Sequence, residues 1–237
     1  RPIFRKFLAI EGVYANSGDV APLREIFDLA KEFKYRIIMD ESFSLGVLGR
    51  RGRGLTEEVG LEPQDIDIIV ASLGNSLASV GGVCMGTKAM NASSKLNSSG
   101  YVFSASLPPF LAVAAQAAID KLDAEPQRLE RLQANARLMR RELGGMKGAR
   151  VLGNDERSPL IHIEVDHPLG GESDAFTPQR KLEQLERIVD AAIQEGVLVD
   201  IATFCSKDRS AEFPTLRVTV TAEHSDRDVL RCARVLR

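Results

Sequence analysis

Short apolar runs alternate with longer stretches of helical spacing through the first hundred residues. Phe7-Leu8-Ala9-Ile10 reads as a buried strand, followed by a Gly/Asn/Ser turn. From Pro22 to Lys34, apolar residues at Leu23, Ile26, Phe27, Ala30 and Phe33 keep a helical period, and Pro22 suits the first turn. Arg36 to Met39 predicts the next strand and Asp65 to Ala71 another. The Gly81-Gly82 pair, followed by Val83-Cys84-Met85-Gly86, predicts a further strand whose backbone needs close approach to a neighbour. This strand-helix-strand alternation predicts an α/β fold, a mainly parallel sheet with helices on its faces. Ligands in such sheets sit beyond the carboxyl ends of the strands, where Asp40 and Asn75 fall.

The pattern then changes. Tyr101 to Phe103 reads as a strand, with Ser104 and Ser106 after it. Pro108-Pro109 breaks the chain, and an amphipathic helix is predicted to about Leu122. A second helix is predicted from Gln127 to Leu143, ended by Gly144-Gly145. Beyond Gly148 the pattern is α+β. A strand is expected over Ser158 to Val165, with a Gly/Asp-rich loop from His167 to Phe176. A helix follows from Thr177-Pro178 to about Glu195, with Thr177 as its cap. Strands are expected at Val197 to Asp200 and Leu216 to Val220, then a last helix capped by Ser225 with Asp228. The expected organisation is part of a large domain over 1–107, connecting helices over 108–147, and a small α+β domain over 148–237.

Composition narrows the function classes. The chain has 237 residues and 44% hydrophobic content, enough for a sizeable core. A net charge of −2 and the lack of any long Lys/Arg run give no reason to expect a nucleic-acid partner. Arg50, Arg51 and Arg53 form the densest basic cluster and read as a solvated turn. Cys84, Cys205 and Cys232 are odd in number and far apart, so neither a disulfide framework nor a zinc ligand set is expected. No run reaches the roughly 18 apolar residues of a membrane span. The chain opens on Arg1-Pro2-Ile3-Phe4 just ahead of a strand, and is expected to be a piece of a longer protein.

The candidate chemistry lies at two strand ends. Arg36 to Met39 terminates in Asp40-Glu41-Ser42-Phe43-Ser44-Leu45-Gly46. The strand that ends at Ala71 runs into Ser72-Leu73-Gly74-Asn75-Ser76-Leu77-Ala78-Ser79-Val80-Gly81-Gly82. A strand-end carboxylate suits a protonated pyridine nitrogen, and a lysine after the next strand normally carries pyridoxal phosphate as an imine. With Val13 to Gly18, Gly100 to Pro109 and Leu216 to Thr221, these segments resemble the α-oxoamine synthases. That family comprises fold-type-I, aspartate aminotransferase-like enzymes that use pyridoxal phosphate to condense an amino acid with an acyl-CoA. The motifs run in order along almost the whole chain.

Two departures refine the resemblance. Asn75 stands at the lysine position and Phe43 at the position of a histidine that would meet the ring oxygen. The first change is similar to that of the non-catalytic subunits of serine palmitoyltransferases, and the loss of both argues against an active homodimer. The resemblance therefore implies no catalytic residue in this chain. It also implies a homologous partner that bears the lysine and holds the pyridoxal phosphate, and L-serine and palmitoyl-CoA as substrates of the assembly. An anchor outside this sequence and a place on the cytosolic face of the endoplasmic reticulum are implied too. Ser104 and Ser106 are expected to reach the partner's cofactor phosphate, a simpler reading being a helix cap by Ser106. Asp40 is expected to be a vestigial ring-nitrogen position. Arg217 either binds the substrate carboxylate or pairs with a carboxylate inside the fold. His162, His167 and His224 are scattered, and no metal cluster is expected. Two competing readings remain: a self-sufficient α-oxoamine synthase, and a purely structural or regulatory subunit.

Overall fold

A computed structural model describes residues 5–166, 177–202 and 214–237. The chain forms two compact units, Arg1–Tyr14 with Val20–Leu129, and Ala15–Asp19 with Glu130–Arg237.

In the first unit, strands β1 (Lys6–Glu11), β2 (Tyr35–Asp40) and β3 (Ile68–Ser72) are parallel. Strand β4 (Gly82–Gly86) runs antiparallel to β3 and closes the order β1-β2-β3-β4. Helix α1 (Leu23–Phe33) carries the chain from β1 to β2 and buries Leu23, Phe27 and Ala30, the one-face spacing that its sequence requires. Lys34 ends the helix in the left-handed region, its amide reaching Ala30 O and Lys31 O. Strand β2 alternates, burying Ile37 and Met39 on one face, so that Ile38 and Asp40 belong to the other. Burying Met39 or Leu23 completely contributes about 2 kcal/mol each. Helix α2 (Leu55–Glu58) is a single turn.

The third strand begins later than expected. Pro63–Asp65 forms a 3-10 turn that takes up Asp65, because the Asp65 carboxylate caps Glu62 N and leaves the ladder to start at Ile68. Tyr101 to Phe103 is also not a strand. Helix α3 (Lys88–Asn97) is followed by one further turn, α4 (Ser99–Val102). The amides of Val102 and Phe103 donate to Ser98 O and Ser99 O. Among the described residues no strand pairs with them to offer a ladder, so their β propensity has nothing to act on. Helix α5 (Pro109–Ala124) starts with Pro108 at its cap, which removes Ser106 from that role. Ala115 packs with Leu73 and Leu77, flanked by Leu107 and Ile119.

In the second unit, α6 (Gln127–Leu143) leads to an antiparallel sheet of order β5-β6-β8-β7. Its strands are β5 (Ala149–Val151), β6 (Leu160–Val165), β7 (Asp200–Ala202) and β8 (Thr215–Thr219). Helix α7 (Pro178–Gln194) is capped by Thr177, whose hydroxyl accepts from Arg180 N, and α8 (Asp226–Val235) by a reciprocal Ser225–Asp228 box. Leu143, Ile161, Leu185 and Val229 are among the most deeply buried residues of one core. The β7 strand corrects the expected Val197 to Asp200. Val197 and Val199 are buried in that core, but the ladder opens only where Asp200 faces Arg217. His167 and Cys205 lie outside the described residues.

Candidate functional site

Two consecutive acids end β2 and take opposite roles. Asp40 lies on a cavity of about 310 Å³ lined by Ala9, Ile10, Glu11, Tyr14, Ile38 and Val70. Its Oδ1 accepts from Ser42 N at 2.7 Å, an Asx turn that bends the chain off the strand. Glu41 is only 2% exposed. It accepts the Ser44 hydroxyl and the amides of Leu55 (3.0 Å) and Thr56 (3.3 Å), and so caps the first turn of α2. Burial pushes the Glu41 carboxyl above its ordinary value near 4.5, against the pull of Ser44 and the two amides. Gly12 and Gly54 leave room for this cluster: a Cβ on Gly12 would lie 2.2 Å from Ser44 Oγ, and one on Gly54 2.4 Å from Glu41 Oε2.

The β3–β4 loop is held over that turn. Leu73 N donates to Gly81 O and Ser79 N to Leu73 O, which close the loop on itself. The Asn75 side-chain NH2 donates to Ser42 O at 2.7 Å, Ser72 N donates to Ser42 Oγ at 2.8 Å, and Ser76 Oγ donates to Leu45 O at 2.5 Å. Ser42 is thus the hub that joins Asp40, Ser72 and Asn75. Its place in the Asp-Glu-Ser segment was visible in the sequence, but nothing there distinguished it from any turn serine. Gly46 (φ +76°) leaves space for Ser76, and Gly81 (φ +98°) for Leu107.

The structure brings Asp40 and Asn75 together through Ser42 and puts Phe43, half-buried, one residue along. Ser104 and Ser106 are exposed, and the Ser104 hydroxyl donates to Gly100 O one turn back. Arg217 belongs to the other unit. It lies opposite Asp200 on β7 and pairs with that carboxylate. His162 is buried, its Nε2 donating to Ala15 O (3.0 Å) and its Nδ1 accepting from the Thr215 hydroxyl (2.8 Å). Burial lowers its pKa, so it is neutral and structural. His224 Nδ1 accepts from Thr221 N at 3.3 Å within a local turn. Among the described residues, no cluster of His, Cys, Asp or Glu could hold a metal ion.

The family model for aminotransferase class I and II matches residues 3–236. The chain belongs to that family. Long chain base biosynthesis protein 1 of Arabidopsis thaliana is 38% identical over 234 residues, 98% of this chain and 47% of that protein. Serine palmitoyltransferase 1 of Dictyostelium discoideum is 37% identical over 238 residues, 99% of this chain and 49% of that protein. The chain therefore spans about half the length of the curated relatives it matches. A high-resolution structure of SPT with a PLP internal aldimine superposes with a TM-score of 0.82 at 29% identity, covering 98% of this chain and 54% of the other. The partial fold-type-I architecture expected from the sequence is the one observed.

The strand-end site does not fit pyridoxal phosphate as a covalently held group. Asn75 has no primary amine to attack an aldehyde, and its NH2 is spent on Ser42 O. Phe43 has no donor for a ring oxygen. No chemical step is assigned to this site.

Proposed function

We propose that this chain is the chemically silent companion in a serine palmitoyltransferase assembly, which condenses L-serine with palmitoyl-CoA, releases CO2 and yields 3-ketodihydrosphingosine. A homologous partner carries the lysine and the pyridoxal phosphate. This chain stabilises that partner and lines the shared site, with Ser104 and Ser106 directed to the partner's cofactor phosphate. Asp40 is the relic of a ring-nitrogen contact, and Arg217 serves the fold through Asp200 rather than a substrate. The assembly works at the cytosolic face of the endoplasmic reticulum. Among the described residues no helix is long and apolar enough to cross a membrane.

One observation carries this reading: the amide of Asn75, tied into the turn after Asp40, where the chemistry requires an amine. The test is reductive trapping. The full chain, alone and co-purified with its lysine-bearing relative, is incubated with stoichiometric pyridoxal phosphate, reduced with borohydride and weighed by mass spectrometry. The adduct is expected on the partner only. A stoichiometric adduct on this chain alone would establish a self-sufficient enzyme instead. The Asn75→Lys variant is also expected to stay unlabelled, because Phe43 still withholds its donor. Labelling of that variant would show the amine to be the sole loss.

A further inference from the structure

Helix α8 turns Val229 and Ala233 into the core and leaves a basic arc outside. At 3.6 residues per turn, Arg227, Leu230, Arg231 and Arg234 fall within about 100° of one another, with Asp226 and Asp228 beyond the two edges. These four residues line a hollow of about 440 Å³. Elsewhere arginines such as Arg150, Arg157 and Arg217 are matched to carboxylates, whereas Arg227, Arg231 and Arg234 form no ion pair among the described residues. Asp228 is occupied by the Ser225 hydroxyl and amide, and Arg227 acts on it only through space. Arg231 Nη2 donates to Glu195 O at 2.5 Å, which fixes the guanidinium beside the end of α7. A Cβ on Gly196 would stand 3.0 Å from the same nitrogen. Apolar surface accompanies this basic arc: Leu230, which lines the hollow, is 40% exposed, and Leu198, two residues beyond the Gly196 that abuts Arg231, is 86% exposed.

We infer that this face of α8 docks on an anionic lipid surface, with Arg227, Arg231 and Arg234 on headgroup phosphates and Leu230 and Leu198 at the acyl boundary. Guanidinium groups match phosphate oxygens bidentately, and their aliphatic stems lie along apolar surface while the heads stay wet. An acidic protein segment would satisfy the charges and leave the exposed aliphatic side chains in water. A bilayer interface takes both. The surface belongs to the second unit and the strand-end site to the first, and the inference does not rest on the function proposed above.

The experiment is co-sedimentation of the full chain with phosphatidylcholine vesicles, with and without 30% phosphatidylserine, run beside Arg227→Gln/Arg234→Gln. That variant spares Arg231 and its bond to Glu195, and circular dichroism checks its fold. Each arginine at an anionic surface contributes about fivefold in partitioning (about 1 kcal/mol), so the double variant should bind anionic vesicles about 25-fold more weakly. Binding should need phosphatidylserine and fall in 0.5 M salt, and Leu198→Ser should weaken it further. No binding, equal binding to neutral vesicles, or full binding by the double variant would overturn the inference. So would capture of soluble polyglutamate, but not vesicles, by the wild-type chain, which would assign the arc to an acidic protein.

Discussion

Residues 40–58 and residues 98–110 carry the two halves of the candidate chemistry, and they are built in opposite ways. The first is closed on itself. Glu41 binds the amides of Leu55 and Thr56, Ser42 binds Ser72 and Asn75, and Glu57 takes the amides of Arg51 and Arg53. Leu48 and Leu55 are almost fully buried. The second holds little against anything. Tyr101, Val102, Phe103 and Phe110 are all about half exposed or more, and α3 and α4 bury no residue. A region that satisfies its own polar groups keeps its shape whatever becomes of its chemistry. One that leaves large apolar side chains in water derives its shape from something it touches. The proposed division of labour follows this contrast: an inert but rigid turn, and a contact-dependent segment that carries the two serines.

The sharpest way to break the comparison is at Glu41. Glu41→Ala strands two buried amides and the Ser44 hydroxyl, and should cost on the order of 3 kcal/mol in urea unfolding. A change under 1 kcal/mol would show that the turn is not self-sustaining. The same group sets a pH signature. Since burial raises its pKa, the folded chain holds the proton more tightly than the unfolded chain does. Its stabilising contribution is full below about pH 4.5 and is lost as pH rises through the raised value. Glu41→Gln should flatten that slope.

Gly46→Ala comes next. It forces a left-handed backbone and drives a Cβ to 2.5 Å from Ser76 Cβ, at a cost of about 2 kcal/mol in the same assay. The smallest effect belongs to the open segment. Ser104→Ala with Ser106→Ala should change the stability of the chain by less than about 0.5 kcal/mol, because both side chains are exposed. In the assembled complex the same pair should weaken pyridoxal phosphate affinity on the order of tenfold, read by fluorescence titration. Unchanged affinity would reduce this chain to scaffolding.

What the sequence made legible follows the same divide. Strand ends, α1, α5, α6 and the α7 and α8 caps were readable because each has a buried face or a cap of specific chemistry. The reading of 101–103 as a strand failed because Tyr-Val-Phe sits on a single exposed turn, where no core imposes a period. Valines near 197 misled similarly, since burial in the core is not the same as pairing in a ladder. Asp40 was marked correctly as a strand-end carboxylate. Glu41 beside it was passed over, since two adjacent acids do not reveal which one turns inward. Asn75 could be recognised by its position, but its bond to Ser42 O depends on residues thirty-three apart coming together. Arg217 could be placed in a strand, yet only the register of β7 against β8 showed which carboxylate it meets.

Strand β4 has a consequence for the life of the polypeptide outside any assembly. It ends the first sheet with all five residues exposed, glycine at either end, and Val83, Cys84 and Met85 between them. Among the described residues β4 pairs with β3 alone and carries no proline or lysine, so its outer side is open to one more strand, from another stretch of the protein or from another polypeptide. Left without such a neighbour, that border would pair with its like in other copies. Under the function proposed above, matched supply of the two subunits then bears on solubility as well as on catalysis.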